Sequence, residues 1–240
     1  MNFNLDFLRF RFIALIASVS FILVSLATIS IQQLQLGLDF TGGTLVEVGF
    51  TETVDPEEIR TYLEGKQIDA LVQAFGSDKD LLIKIPSSEN IENANIVIDS
   101  LQQQYSFQLR RSGFVGPQVG GELRDQGGLG LLAALLVMMI YIMFRFQYKF
   151  AIGAVVALFH DVLIVLGIFS ILRLEFDLSV LAALMAVIGY SLNDTIVVSD
   201  RIRENFRAKR KLNSEQVINR SLNNTLGRTL ITSLTTLLVL

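Results

Sequence analysis

The chain has no cysteine, no tryptophan and a single histidine. Without cysteine there is no disulfide and no thiolate metal site, and the redox compartment leaves no mark. One histidine with no HExxH pattern argues against a metal centre. Charge is also scarce: 18% of residues are charged against 51% hydrophobic, and mean hydropathy is +0.51. Soluble domains carry about a quarter charged residues. A net charge of −3 gives no basic footprint for nucleic acid. What the chain has instead is long apolar runs, the composition of an integral membrane protein.

A spanning helix needs about 20 mostly apolar residues. Residues 12–31, 128–145, 150–172 and 178–199 supply four such runs. The competing reading of the first is a secretory leader, with Ser25-Leu26-Ala27 as the cleavage site. That run is longer than a leader's apolar core, and further spans follow it. Residues 228–240 read as the start of a fifth helix, cut short within its run. In place of tryptophan, Tyr141, Phe144, Phe146 and Tyr148 are candidates for an interfacial belt. Lysine and arginine gather on one side, at Arg9, Arg11, the turn Arg145–Lys149, and Arg201, Arg203, Arg207, Lys209, Arg210, Lys211 and Arg220. The positive-inside rule therefore puts residues 1–11 and 200–227 in the cytoplasm and residues 32–127 outside.

The outward segment reads as β-α-β-β-α-β. Thr44–Phe50 alternates like a strand, and Asp55-Pro56-Glu57-Glu58 has the cap, proline and acids of a helix start. Ala70–Phe75 and Leu81–Ile85 flank the turn Gly76-Ser77-Asp78. Ser88 can cap a second helix with Ile91, Ala94, Ile98, Leu101 and Tyr105 on one face, and Phe107–Val115 is a last strand. This order predicts a ferredoxin-like α+β domain. Two glycine-marked stretches bound it: Asp39, Thr41, Gly42 and Gly43 on one side, Gly116, Pro117, Gly120 and Gly121 on the other. They read either as ordinary connectors or as paired hinges.

Polar groups inside the spans carry the functional signal. A carboxylate near the bilayer centre costs ~2.5–3.5 kcal/mol on insertion scales. The third span holds His160-Asp161; the fourth holds Asp194, with Tyr190, Ser191 and Asn193 beside it. Asp194 is about 9 Å of helix inward of Asp200. At the start of the fifth helix, Asn224, Arg228 and Thr232 form one stripe with Thr235 and Thr236. Arg228 is thus expected at a depth similar to that of Asp194, where a buried acid needs a partner. The pair is either static glue between helices or a proton relay, with the Thr232 and Ser191 hydroxyls extending a path. A lone histidine such as His160 is more often a packing residue than a ligand.

LGLDFTGGT, VGPQVGGEL, ALFHD, AVIGYSLNDTIVVSDRIREN and GRTLITSLTT together resemble the SecF family of bacterial protein-export membrane proteins. The likeness runs from the first span to the last residue. It implies a membrane bundle of the resistance-nodulation-division type, with one large periplasmic domain after the first of six spans, in the bacterial inner membrane. It implies a non-enzymatic component without cofactors, which works with SecD at the SecYEG channel, with YajC and YidC as further partners. In this family the proton gradient draws the translocating polypeptide outward after SecA has pushed it, and protons pass at the SecD–SecF helix interface. The family's transport carboxylate falls on Asp194, its arginine on Arg228 and its hydroxyl on Thr232. Three rivals are a non-conducting scaffold subunit, a hydrolase pairing Asp161 with Asp194, and a small-molecule exporter of the same superfamily. Exporters of that kind are far longer and carry two large outer domains.

Overall fold

The computed structural model describes residues 5–86, 92–145, 148–208 and 212–239. The expected cap Ser88, Ile91, the turn residues Phe146 and Gln147, and the basic residues Lys209, Arg210 and Lys211 lie outside the described residues. The Lys149 side chain does too. Among the described residues, four helices are long and apolar enough to cross a membrane: Phe7–Gln32, Pro117–Arg145, Phe150–Leu172 and Leu178–Ala208. Contacts divide the chain into two compact units. One comprises Gln35–Leu131 with Glu175–Leu181, and the other Met1–Leu34, Leu132–Leu174 and Ala182–Leu240.

The first unit is built on a four-stranded sheet. In chain order its elements are β1 (Gln35–Leu36), α1 (Leu38–Thr41), β2 (Gly43–Phe50), α2 (Pro56–Gly65), β3 (Leu71–Phe75), β4 (Ser77–Pro86), α3 (Glu92–Gln102) and β5 (Phe107–Val115). The sheet order is β3-β4-β2-β5, antiparallel throughout, which is the ferredoxin-like arrangement. Alternation along β2 sends Val46, Val48 and Phe50 to the face that carries the two helices. There they meet Leu81, Ile83, Ile59, Leu63, Val97 and Leu101, most of them wholly buried. Each such side chain contributes about 1.5–3 kcal/mol. On α3 the expected Ala94 and Leu101 are buried together with Val97, and the expected Ile98 packs against this core partly buried.

Asp55 caps α2 as its sequence predicts, its Oδ1 accepting from Glu57 N at 2.9 Å, with Pro56 in the first turn. Strand β4 starts earlier than its apolar core, because Gly76 turns at φ +77° and lets Ser77 pair at once with Phe75. On the open face, the Ser77 hydroxyl donates to Asp80 at 2.7 Å, and the Arg110 guanidinium lies 3.0 Å from the same carboxyl across Gly49. The Ser77 bond, seconded by Arg110, holds the Asp80 carboxyl below its ordinary value. Tyr105 donates to Glu58 at 2.9 Å, and burial with that bond pushes its phenol up to about 12.

The second unit contains α4 (Arg11–Gln32), and α5 (Pro117–Arg145) and α7 (Leu178–Ala208) each continue into it from the first. α6 (Tyr148–Leu172) and α8 (Ser214–Val239) complete it. β6 (Glu175–Phe176) lies between α6 and α7. Small residues let α4 and α6 approach closely: a Cβ on Gly167 would lie 2.8 Å from the Ser25 Cα. The contact is sealed at one end by Ser170 donating to Gln33 O at 2.9 Å and Arg173 donating to Gln32 O at 3.0 Å. The segment before α4 is fastened to α8. Asn219 Oδ1 accepts from Phe7 N and Asn223 Oδ1 from Leu5 N, each at 2.8 Å. Asn223 Nδ2 donates to Leu5 O at 2.8 Å, and Arg11 pairs with Glu215.

Candidate functional site

Asp161 lies near the middle of α6, inside an apolar stretch of mean hydropathy 2.5. Both of its carboxyl oxygens are engaged. Oδ1 is 3.0 Å from His160 Nδ1, and Oδ2 accepts from the Ser191 hydroxyl on α7 at 2.5 Å. One hydroxyl thus joins the α6 acid to α7. His160 Nε2 is buried and has no hydrogen-bond partner among the described residues.

Asp194 is half-buried one turn beyond Ser191, on the same side of α7. The expected pair with Arg228 does not form: among the described residues, no hydrogen bond or ion pair joins Asp194 to any group. Arg228 is exposed, and Thr232 donates to the Arg228 carbonyl oxygen at 3.0 Å, as helical threonines commonly do. α7 and α8 are tied where the buried Asn205 Nδ2 donates to the buried Ser221 Oγ at 2.9 Å. Asp194 lies about three turns along α7 from that tie, and Arg228 about two turns along α8. Tyr190 and Asn193 are exposed and bring no hydrogen bond to the site among the described residues.

The two glycine motifs meet within the sheet-bearing unit. They are not slack connectors. Asp39 and Thr41 belong to the short helix α1, and Pro117, Gly120 and Gly121 lie inside α5, which starts well before residue 128. Gly42 has φ +76°, and a Cβ there would lie 2.7 Å from the Pro117 Cα; a Cβ on Gly120 would lie 2.9 Å from Gly42 N. These two glycines are needed for backbone-to-backbone approach, and Pro117 suits the first helical position. Gly43 begins β2, while Gly116 and Gly121 have open space or only distant contacts.

Sequence reasoning named Asp39 but missed its partner and the other groups that complete this joint. Asp39 Oδ2 accepts from Leu178 N at 3.2 Å, at the start of α7. β1 and β6 pair in parallel, Phe40 stacks on Phe176 with centroids 6.0 Å apart, and Lys84 of β4 pairs with Glu175. An acid beside a glycine run was the only local signal for Asp39. Lys84 and Glu175 carried none.

Residues 96–240 match the family described as protein export membrane protein SecD/SecF, C-terminal, and residues 28–54 match the SecD/SecF GG motif. The protein translocase subunit SecF of Vibrio alginolyticus is 46% identical, the alignment covering 98% of this chain and 77% of the relative. The chain belongs to the SecD/SecF family. Its likeness to the SecF subunit of Pseudomonas aeruginosa is similar, at 45% identity over 99% of this chain and 78% of that one. Among solved structures, the crystal structure of SecDF from Thermus thermophilus, a translocon-associated membrane protein, matches with TM-score 0.88 at 34% identity. A SecDF structure in a super-membrane-facing form matches with TM-score 0.72, also at 34% identity. Both matches cover 99% of this chain, which spans only 33% of each solved chain. The GG motif of the family coincides with the joint at Gly42 and Gly43, and its C-terminal region contains Asp161, Asp194 and Arg228.

Proposed function

We propose that the chain is a SecF-type subunit of a bacterial protein-export machine, seated in the cytoplasmic membrane with residues 1–11 inside and the ferredoxin-like domain outside. It works with SecD at the SecYEG channel, with YajC and YidC as accessory partners. It draws translocating polypeptide outward at the expense of the proton gradient, with no cofactor and no enzymatic step. The observation that carries this reading is the Asp194 carboxyl in an apolar helix, engaged by no hydrogen bond or ion pair among the described residues. An ionised Asp194 draws the long Arg228 side chain toward it; a protonated Asp194 releases it and bonds a hydroxyl instead. Proton loading thereby alternates two arrangements of α7 against α8. The different TM-scores of the two solved SecDF structures, at equal identity and coverage, support a family that changes shape over this segment. The joint at Gly42, Pro117 and Gly120 is the proposed place where backbone contacts hold steady during that change.

The test uses membrane vesicles that contain the full chain with SecD and SecYEG. Asp194→Asn is expected to abolish gradient-dependent stimulation of export while leaving the amount and assembly of the complex unchanged. Unaltered stimulation overturns the relay. Loss strictly in proportion to reduced abundance favours a scaffold subunit instead.

A further inference from the structure

We propose that His160, Asp161 and Ser191 form a second proton-binding site within the membrane, in which His160 Nε2 takes the proton. The site rests on the reading of Asp194 as a proton carrier only for the step that connects the two.

A carboxylate at mid-span needs donors for its oxygens, and Asp161 has two: the Ser191 hydroxyl at 2.5 Å and His160 Nδ1 at 3.0 Å. Both bonds form only when Nδ1 carries its hydrogen. A neutral imidazole then presents Nε2 as a bare lone pair. That nitrogen is the buried, unpartnered atom of the ring. The arrangement is complete except for one proton. Binding it converts a dyad of charge −1 into a neutral imidazolium–carboxylate pair, which a low-dielectric surrounding favours. The bonding order also separates the site from a hydrolytic triad. There the imidazole takes the serine proton, whereas here the serine hydroxyl points at the carboxylate and Nε2 lies on the opposite edge of the ring. The hydrolase pairing Asp161 with Asp194 loses its geometry too, since both Asp161 oxygens are bonded elsewhere.

Few other charges bear on the site. Residues 12–31 of α4 hold no ionisable side chain, and residues 127–144 of α5 hold only Tyr141. α6 adds Tyr148 and Lys149 at its start; α7 adds Tyr190, Asp194 and, toward its end, Asp200, Arg201, Arg203, Glu204 and Arg207; α8 adds Glu215, Arg220 and Arg228. Of these, Asp194 is one helical turn from Ser191. In the connecting step a protonated Asp194 gives its hydrogen to Ser191 Oγ as Ser191 gives its own to Asp161 Oδ2, and the imidazolium gives up its Nε2 hydrogen at the opposite edge of the ring. One proton enters at the carboxyl, one leaves at Nε2, and serine ends unchanged.

The single histidine makes the test direct. The full chain, with isotopically labelled histidine, is reconstituted in vesicles with its unlabelled partner subunits and followed by nitrogen NMR between about pH 9 and about pH 5. The expected result is the Nδ1–H tautomer at the alkaline end and imidazolium appearing as pH falls, with the imidazolium signal lost across that window in Asp161→Asn. Ser191→Ala is expected to leave imidazolium formation in place and to lower gradient-driven export about a hundredfold, the loss of one general acid–base contact at the low end. A histidine fixed in one protonation state in the parent chain, the Nε2–H tautomer at high pH, or imidazolium indifferent to Asp161→Asn each overturns the proposal. The first two need no variant that must fold. Asp194→Asn separates the two readings: export unaffected by it removes the relay, while a titrating, Asp161-dependent His160 still supports this site.

Discussion

At the scale of single residues, the ferredoxin-like domain has two side chains whose ionisation is set by local bonds. Burial and the Glu58 bond push the Tyr105 phenol up to about 12. A phenol with its folded value raised stabilises the fold below its ordinary value of 10 and loses that contribution as pH climbs from 10 to about 12. Tyr105 is therefore expected to ionise late among the five tyrosines in a phenolate absorbance titration, and Tyr105→Phe to soften the alkaline fall in melting temperature. Asp80 works in the opposite sense. Its carboxyl is held below 3.8, chiefly by Ser77, so the contribution is present above that pH and fades as pH falls through the folded value. Ser77→Ala is expected to bring Asp80 protonation to higher pH, read from its carboxyl carbon shift. Residue identity revealed much of the membrane site: Asp194, Asp161, His160 and Ser191 are all conspicuous inside apolar runs. It did not reveal who bonds whom. Arg228 and Asp194 looked paired because both are charged and near one membrane face, but Arg228 is exposed and no ion pair joins the two among the described residues.

At the scale of elements, close packing makes the sharpest demands. Gly167→Leu would drive its side chain into Ser25 on α4, and Gly42→Ala combines φ +76° with a clash against Pro117. Each is expected to cost about 1–3 kcal/mol, as overpacked sites do, measured as a loss of thermal stability in detergent. Gly121→Ala has open space and a helical setting. It is expected to be neutral or stabilising by up to about 1 kcal/mol, from helix propensity. The contrast between Gly120 and Gly121 was not legible in the sequence, where VGPQVGGEL reads as a connector. Proline and glycine are local signals for turns, and here a tertiary contact overrides them: the proline opens a helix and one glycine admits a neighbouring backbone. The sheet elements were legible because alternation and capping are local. The early start of β4 was not, since Ser77 and Asp78 carry no apolar pattern.

At the scale of the whole molecule, what escaped the sequence is what joins distant positions. Lys84 and Glu175 pair with side chains only 14% and 18% exposed. Breaking such a pair from one side is expected to cost about 3 kcal/mol. Lys84→Glu alone should destabilise the ferredoxin-like domain, and adding Glu175→Lys should restore most of the loss, as read in a double-mutant cycle of melting temperatures. The amino-terminal strap onto Asn219 and Asn223 is more distant still, closing over 218 positions between Leu5 and Asn223. During synthesis the segment at Leu5 has no seat until α8 arrives. A ribosome must therefore have made the chain through Asn223 before that segment docks, and until then it waits without its asparagine partners.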